Sequence, residues 1–302
     1  MQKKEVQDRY MFEGGIILSK KRAFLFILPA LAFVTVFLIF PAIWAIYIGL
    51  TNEALTGIYG LNHQFVWFDN FTKAFKDPWF RSSLQISFKF VLGSLVGQAG
   101  LGLLLALLLY NKTGIVKELV SNIVIIAWIV PGVVVAYLWV AFLDKDFGLL
   151  NSILGILGFA RVNWFHTLPV GVIIIFNTWR GTAFSMLLFM AALQSIPPSY
   201  LETADVIGAS GWSKLRDIII PLIKPQILTD LILLTLWTFN VFTPFILTKG
   251  GPAHMTEILP IYTYRVAFMG TGRIGQGAAI STIILLINLT LALIYLKMLK
   301  RK

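Results

Sequence analysis

The amino-acid sequence predicts an all-α integral membrane bundle of six transmembrane helices, and three observations carry that expectation. Of 302 residues, 58% are hydrophobic and only 13% charged, with a mean hydropathy of +0.81; soluble domains are about 45–50% apolar and about 25% charged. Six apolar runs, at about 23–50, 84–110, 118–143, 169–193, 222–247 and 277–298, each offer the length of a crossing helix, for which ~20 largely apolar residues are needed. The basic residues fall unevenly between those runs. With both termini inside, the inner segments hold 15 Lys and Arg against 8 in the outer loops, while Lys89 and Arg180 lie within runs. The excess of Lys and Arg on one side sets the orientation, with both termini cytoplasmic.

Taken in order, residues 1–22 form a polar cytoplasmic segment. The first run starts at Ala23 and passes Pro29 and Pro41 to about Leu50. It is too long for the h-region of about 7–15 residues in a cleavable signal, so it is expected to be retained as the first span. The outer stretch 65–80 is rich in rings (Phe65, Trp67, Phe68, Phe71, Phe75, Trp79, Phe80), which suit a membrane–water interface. The second run carries Gly93, Gly97, Gly100 and Gly102, small residues that let helices approach closely. The fourth ends at Pro197-Pro198, because proline cannot continue a helix. One integral domain is expected over 23–298, its inner loop at 194–221, followed by a basic cytoplasmic tail at 299–302.

The inner loop is the polar exception. Residues 199–221 read SYLETADVIGASGWSKLRDIIIP, with Glu202, Asp205, Lys214, Arg216 and Asp217 charged. Ser199 and Glu202 have the spacing of a capping box and predict a short helix starting there. Gly208 is expected to end it, since glycine reaches backbone angles other residues avoid. A second helix follows, with Trp212, Leu215 and Ile219 on one side, and meets Pro221 at the membrane surface. So short a helix is marginal alone in water. Small residues on one side and acids on another suit docking in a partner's cleft; a surface helix lying on lipid headgroups is the other reading.

Glu202-Thr203-Ala204, then Gly208, then Ile218-x-Ile220-Pro221 resembles the EAA loop of ABC importer permeases, EAA-x3-G-x9-I-x-L-P, at every spacing. The departures are Thr203 and Ile220. The flanking LQSIPPSYLETAD and the stretch LTKGGPAHMTEILPIYTYRVAF from Leu247 to Phe268 are similar to the carbohydrate branch, of the maltose and glycerol-phosphate types. The resemblance implies a type I ABC importer permease core in a prokaryotic inner membrane. It further implies a second permease subunit (usually a different chain), two ATPase subunits that hold ATP and Mg, and an extracytoplasmic solute-binding protein. This chain would carry no cofactor and no catalytic residue. Glu202, Thr203, Ala204, Asp205, Gly208, Ile218 and Pro221 would couple ATPase closure to the spans. The implied activity is import of a di- or oligosaccharide, with glycerol-phosphate or another polyol as the alternative.

Polar groups inside a bilayer usually face a pathway or a neighbouring helix. Asn177, Gly181 and Phe184 in the fourth run and Trp237 and Asn240 in the fifth supply the amides and flat rings that a hydroxyl-rich solute needs. The resemblance places a solute pathway on these two spans; interhelical hydrogen bonding is the alternative for each. Arg180 and Asp230 are the charged exceptions, expected near span ends where long side chains reach water, Asp230 by the cytoplasmic surface and Arg180 in the outer half. Lys249-Gly250-Gly251-Pro252 predicts an outer turn, which by resemblance faces the binding protein.

Other chemistry is excluded or unsupported. The net charge of +11 is spread over loops and tails rather than one soluble face, which points to charge that sets topology in a lipid membrane and not to nucleic acid. Gly270-x-Gly272-x-x-Gly275 lacks the strand a dinucleotide fingerprint requires, and no P-loop is present. There is no cysteine, and His63, His166 and His254 are scattered, so no metal site is expected. Asp144 and Asp146 flank Lys145 in a loop. An ion-coupled carrier would need intramembrane acids and repeated halves, of which the sequence offers Asp230 alone; a membrane-embedded enzyme would need a catalytic cluster at one face.

Overall fold

The computed structural model describes residues 9–11, 17–270 and 272–300. Of the expected N-terminal segment, residues 1–8 and 12–16 lie outside the described residues, as do Arg301 and Lys302 of the tail. An antiparallel pair, β1 (Arg9–Met11) and β2 (Ile17–Ser19), precedes the helices and departs from the all-helical expectation. The helix that begins at Lys20 supplies the first span, α1 (Phe24–Gly49). A wide π turn at Thr35–Ile39 falls directly before Pro41, whose missing N–H removes one rung of the regular ladder.

After the short helix α2 (Asp69–Lys76) comes α3 (Pro78–Tyr110). It starts earlier than the apolar run because Arg81, Ser82 and Ser83 interrupt the apolar pattern in its first two turns. The Asp77 carboxylate accepts from the backbone N–H of Trp79 at 2.8 Å, with Pro78 in the first helical position, a favourable pairing of cap and ring. The third run is not one continuous helix. It divides into α4 (Ile115–Ile129) and α5 (Gly132–Phe142), bent by 104°. Val130 (ψ 135°) and Pro131 (ψ 130°) are both extended: proline lacks the donor and forces its predecessor out of helical geometry, which an apolar run does not reveal.

Next come α6 (Leu149–Ile156), the long α7 (Pro169–Gln194), the loop helices α8 (Pro198–Val206) and α9 (Gly211–Leu222), and α10 (Lys224–Asn240), bent 69° from α9. The fifth span therefore stops at Asn240, short of the expected 247, and one separate turn follows at Pro244–Thr248. The short α11 (Leu259–Phe268) and the long α12 (Ile274–Lys300) follow. Among the described residues, α1, α3, α7 and α12 are each long and apolar enough to cross a membrane, and the bent pairs α4–α5 and α9–α10 bring the spans to six if each counts as one.

The bundle is organised around the seam between α3 and α7. A Cβ built on Gly93 would lie 2.7 Å from Ile174 Cδ1, one on Gly97 2.4 Å from Thr178 Oγ1, and one on Gly102 2.4 Å from Ser185 Cβ. From the other side, Gly181 leaves room for the Gln98 amide. Small residues thus set the distance between these two helices. Gly100, expected in the same role, meets no atom within 4 Å and faces away. The core fills the interior around that seam with Phe80, Phe90, Ile173, Leu234, Phe239, Tyr262 and Ile280. Large apolar side chains such as Phe26, Leu92, Val96 and Ile129 face outward, as a bilayer solvent permits.

Candidate functional site

Three places hold the residues singled out in the sequence: the inner loop, a pocket between spans, and the outer turn. In the loop, α8 starts one residue before Ser199, with Pro197 as cap residue and no capping side chain. The expected capping box is therefore not formed. Ser199 already lies inside the first turn, where its hydroxyl cannot cap; its carbonyl accepts instead from Thr203 Oγ1 at 2.7 Å. The C-terminal expectation fares better. Gly208 has φ +72°, its N–H donates to the Asp205 carbonyl at 3.0 Å, and the Ala209 N–H donates to the Ala204 carbonyl at 2.9 Å. Those two bonds are the Schellman closure that a left-handed residue makes possible.

From there Ser210 caps α9, accepting from the Ser213 N–H at 3.2 Å, and Lys214 forms an ion pair with Asp205 across the turn. Further along, Ile219 and Ile223 pack against Ala106, Phe189, Ala192, Leu193 and Ile196, which roots the loop in α3 and α7. Ala204 is 2% exposed and holds α8 in place. A groove of about 570 Å³ lies between the two loop helices, lined among others by Tyr200, Thr203, Ile207, Asp217 and Ile218. Beside it, Val206, Ile207 and Trp212 are 87%, 76% and 70% exposed, and Glu202 and Pro221 are also exposed. Apolar side chains clustered with an acid on an exposed loop form a patch of the kind that a protein partner or a membrane surface covers.

The pocket gathers Asn177, Gly181 and Phe184 of α7 with Trp237 of α10, in a space of about 120 Å³. Asn240 is not part of it. That residue ends α10, donates to the Leu236 carbonyl at 2.7 Å, accepts from Asn288 Nδ2 at 3.4 Å, and lines a separate cleft with Thr263, Ser281 and Asn288. The sequence reading missed Gln98 of α3, Trp128 of α4, and Arg180 and Thr238 as pocket residues. Arg180 sits directly before Gly181, the one signal that could have included it. The rings form a continuous wall: Trp128 to Phe184 at 6.0 Å and Phe184 to Trp237 at 4.8 Å between centroids. Flat apolar faces and amides in one concavity suit the alternating CH and OH groups of a polyol.

Arg180 and Asp230, the two charged residues singled out in the fourth and fifth runs, turn inward. Asp230 is 0% exposed and accepts from Ser185 Oγ at 3.0 Å through either carboxylate oxygen. Reaching the cytoplasmic surface is thus corrected: on α10 it faces α7, a choice of face that an evenly apolar run does not encode. Arg180 is half-buried, with Nε buried and without a hydrogen-bond partner, against the break between α4 and α5.

The outer turn is closed by its own hydrogen bonds. Gly250 has φ +85°, the Gly251 N–H donates to the Thr248 carbonyl at 2.8 Å, and buried Thr256 donates to the Gly251 carbonyl at 2.8 Å. Buried Glu257 anchors the following residues through Arg265 Nε at 2.5 Å and His254 Nδ1 at 2.9 Å. Tyr262, whose hydroxyl donates to Asp77 at 2.6 Å, ties α11 to the start of α3; burial and that carboxylate push its pKa well above the usual phenol range. In the G-x-G-x-x-G stretch, a Cβ on Gly275 would meet the Thr51 carbonyl oxygen at 2.0 Å, and Gly275 N–H donates to Glu53 at 2.8 Å, so this glycine serves loop packing. Among the described residues no cluster of three or more His, Asp or Glu side chains could hold a metal.

Comparison with known proteins accords with this geometry. The family model for binding-protein-dependent transport system inner membrane components matches residues 98–302. The chain is 34% identical over 283 residues to the trehalose/maltose transport system permease protein MalF of Thermococcus litoralis, covering 92% of this chain and 93% of that protein. It is 29% identical over 290 residues to the sn-glycerol-3-phosphate transport system permease protein UgpA of Pectobacterium atrosepticum, covering 92% and 94%. A chain of the bacterial alginate ABC transporter, solved in complex with an alginate pentasaccharide-bound periplasmic protein, shares the fold with a TM-score of 0.80 at 24% identity, over 92% of this chain and 94% of that one. A family match over most of the length and a full-length relative at this identity place the chain: it belongs to the binding-protein-dependent transport system inner membrane components, the multi-pass permeases of ABC importers.

Proposed function

We propose that this chain is one membrane subunit of an ATP-driven sugar importer, passing a di- or oligosaccharide from an extracytoplasmic binding protein to the cytoplasm. ATP and Mg are held by two separate ATPase subunits, and a second permease, a different chain, completes the pathway. The observation that carries this reading is the joint between α8 and α9. It exposes Glu202, Val206, Ile207 and Trp212 to a partner, is held by the Gly208 closure and the Asp205–Lys214 pair, and is rooted in α3 and α7. Movement imposed on that joint reaches α7 and α10, the two helices that carry Asn177, Gly181, Phe184 and Trp237. Thr203, Ala204, Ile218 and Pro221 shape the joint. The termini and this joint are cytoplasmic, and the turn at Gly250, Gly251 and Pro252 faces the binding protein.

The names of the relatives support a saccharide cargo, with glycerol-phosphate second. The test is reconstitution: the chain with its sister permease, ATPase and ligand-loaded binding protein in proteoliposomes. ATP-dependent uptake that requires the binding protein is expected. Uptake driven by an ion gradient, without nucleotide or partners, would make the chain a secondary carrier and overturn the proposal.

A further inference from the structure

We propose that Arg180 is a specificity-determining residue of the pathway and that the transported solute carries an anionic group, a carboxylate or a phosphate, on its sugar or polyol frame. This deepens the permease reading and rests on it. Arg180 lines the same pocket as Asn177, Phe184 and Trp237. Its Nε is buried and unpartnered, and the guanidinium makes no ion pair or hydrogen bond among the described residues. Asp230, the buried acid of α10, is spent on Ser185.

A guanidinium can only donate, and it stays charged. Its Nε is buried without an acceptor and no carboxylate pairs with the group, a costly state that an arriving anion relieves. The surroundings are cut to receive it. A Cβ on Gly132 would lie 2.9 Å from Nη1 and 3.0 Å from Cζ, so glycine at the start of α5 is what leaves the guanidinium its place. The break at Pro131 brings Gly132 there. Asn177 Nδ2 is a second buried, unpartnered polar atom in the same pocket. An acceptor-rich anionic group meets that demand, and planar carboxylate or phosphate oxygens match the fork of the side chain.

The experiment is equilibrium binding to the permease–ATPase assembly in nanodiscs without the binding protein, so that selectivity read is the pathway's own. The probes are maltose, a digalacturonate and glycerol 3-phosphate. Wild type is expected to hold at least one anionic probe tenfold or more tighter than maltose, and which of the two it prefers separates carboxylate from phosphate. Arg180→Gln is expected to weaken the anionic probes at least tenfold more than maltose and so remove that preference, and Arg180→Lys to keep part of it. Maltose bound as tightly as either anion by the wild type, or no probe bound, overturns the proposal. So does Arg180→Gln weakening all three alike or splitting the permease pair, which would make the residue a structural pin or a partner-facing cation. ATP-driven maltose uptake in the reconstituted system would then still stand for the permease reading, whereas absence of any ATP-driven uptake would end that reading itself.

Discussion

Gly208 offers the sharpest mutational probe of the loop. Its φ of +72° is required by the closure from Ala209 to Ala204. Placing an L-residue there costs roughly 1–2 kcal/mol, a factor of about 5–30 in the population of the closed joint. No atom lies within 4 Å of a Cβ built at this position, so the cost is confined to the backbone and the spans should insert and pack as before. The expected order of coupling is Gly, Asn, Ala, Val: asparagine tolerates the left-handed region best and a β-branched residue worst. Gly208→Asp should likewise insert and lose transport, because its charge adds to Glu202 and Asp205 on the docking face. The assay is solute imported per ATP hydrolysed in proteoliposomes, with thermal melting of the assembly as the control. Wild-type stoichiometry in Gly208→Val, or a ranking that follows side-chain size with no advantage for asparagine, would refute the argument.

Other expectations follow from the same geometry. Gly102→Val should destabilise the bundle by about 1–3 kcal/mol through overpacking on Ser185, while Gly100→Val, with open space at its Cβ, should leave the melting temperature of the purified protein unchanged. Ser185→Ala strands the buried Asp230 carboxylate and should cost about 1–3 kcal/mol; Asp230→Asn, which can still accept from the serine, should cost less in the same melts. Trp237→Ala removes a ring 4.8 Å from Phe184, and solute binding should weaken by about 0.5–1.5 kcal/mol, roughly twofold to thirteenfold in a binding titration. Glu257→Gln should loosen the outer turn by removing the charge that Arg265 and His254 share, read as faster amide exchange across residues 250–257.

Helix identity and membrane character were legible because they are properties of runs: apolar length marks α1, α3, α7 and α12 without reference to any neighbour. The close seam was legible at Gly93, Gly97 and Gly102 for the same reason, small residues being unusual in a lipid-facing row. What sequence did not convey was direction. Gly100 looks like its neighbours but points away, Asp230 turns toward Ser185 instead of water, and Asn240 leaves the pocket its companions share. Each of these depends on helical phase and on which helix lies opposite. The 104° break at Pro131 was present as a proline and a glycine inside an apolar run, yet composition averages over it, and with it went the placement of Arg180. The capping box failed by one residue: Pro198 opened the helix early and put Ser199 inside it. The end of α8 was readable, since the closure at Gly208 is a local backbone requirement.

The central claim is that a partner on the cytoplasmic side grips the α8–α9 joint. Since the chain has no cysteine, Glu202→Cys and Trp212→Cys each give a single thiol in an otherwise unreactive protein, and labelling with a membrane-impermeant maleimide reads their accessibility. Both thiols should label in inside-out vesicles, stay unlabelled in right-side-out ones, and become protected when the ATPase subunit is bound. Labelling from the exterior, or full labelling at both positions in the presence of saturating, stably bound ATPase, would contradict the account.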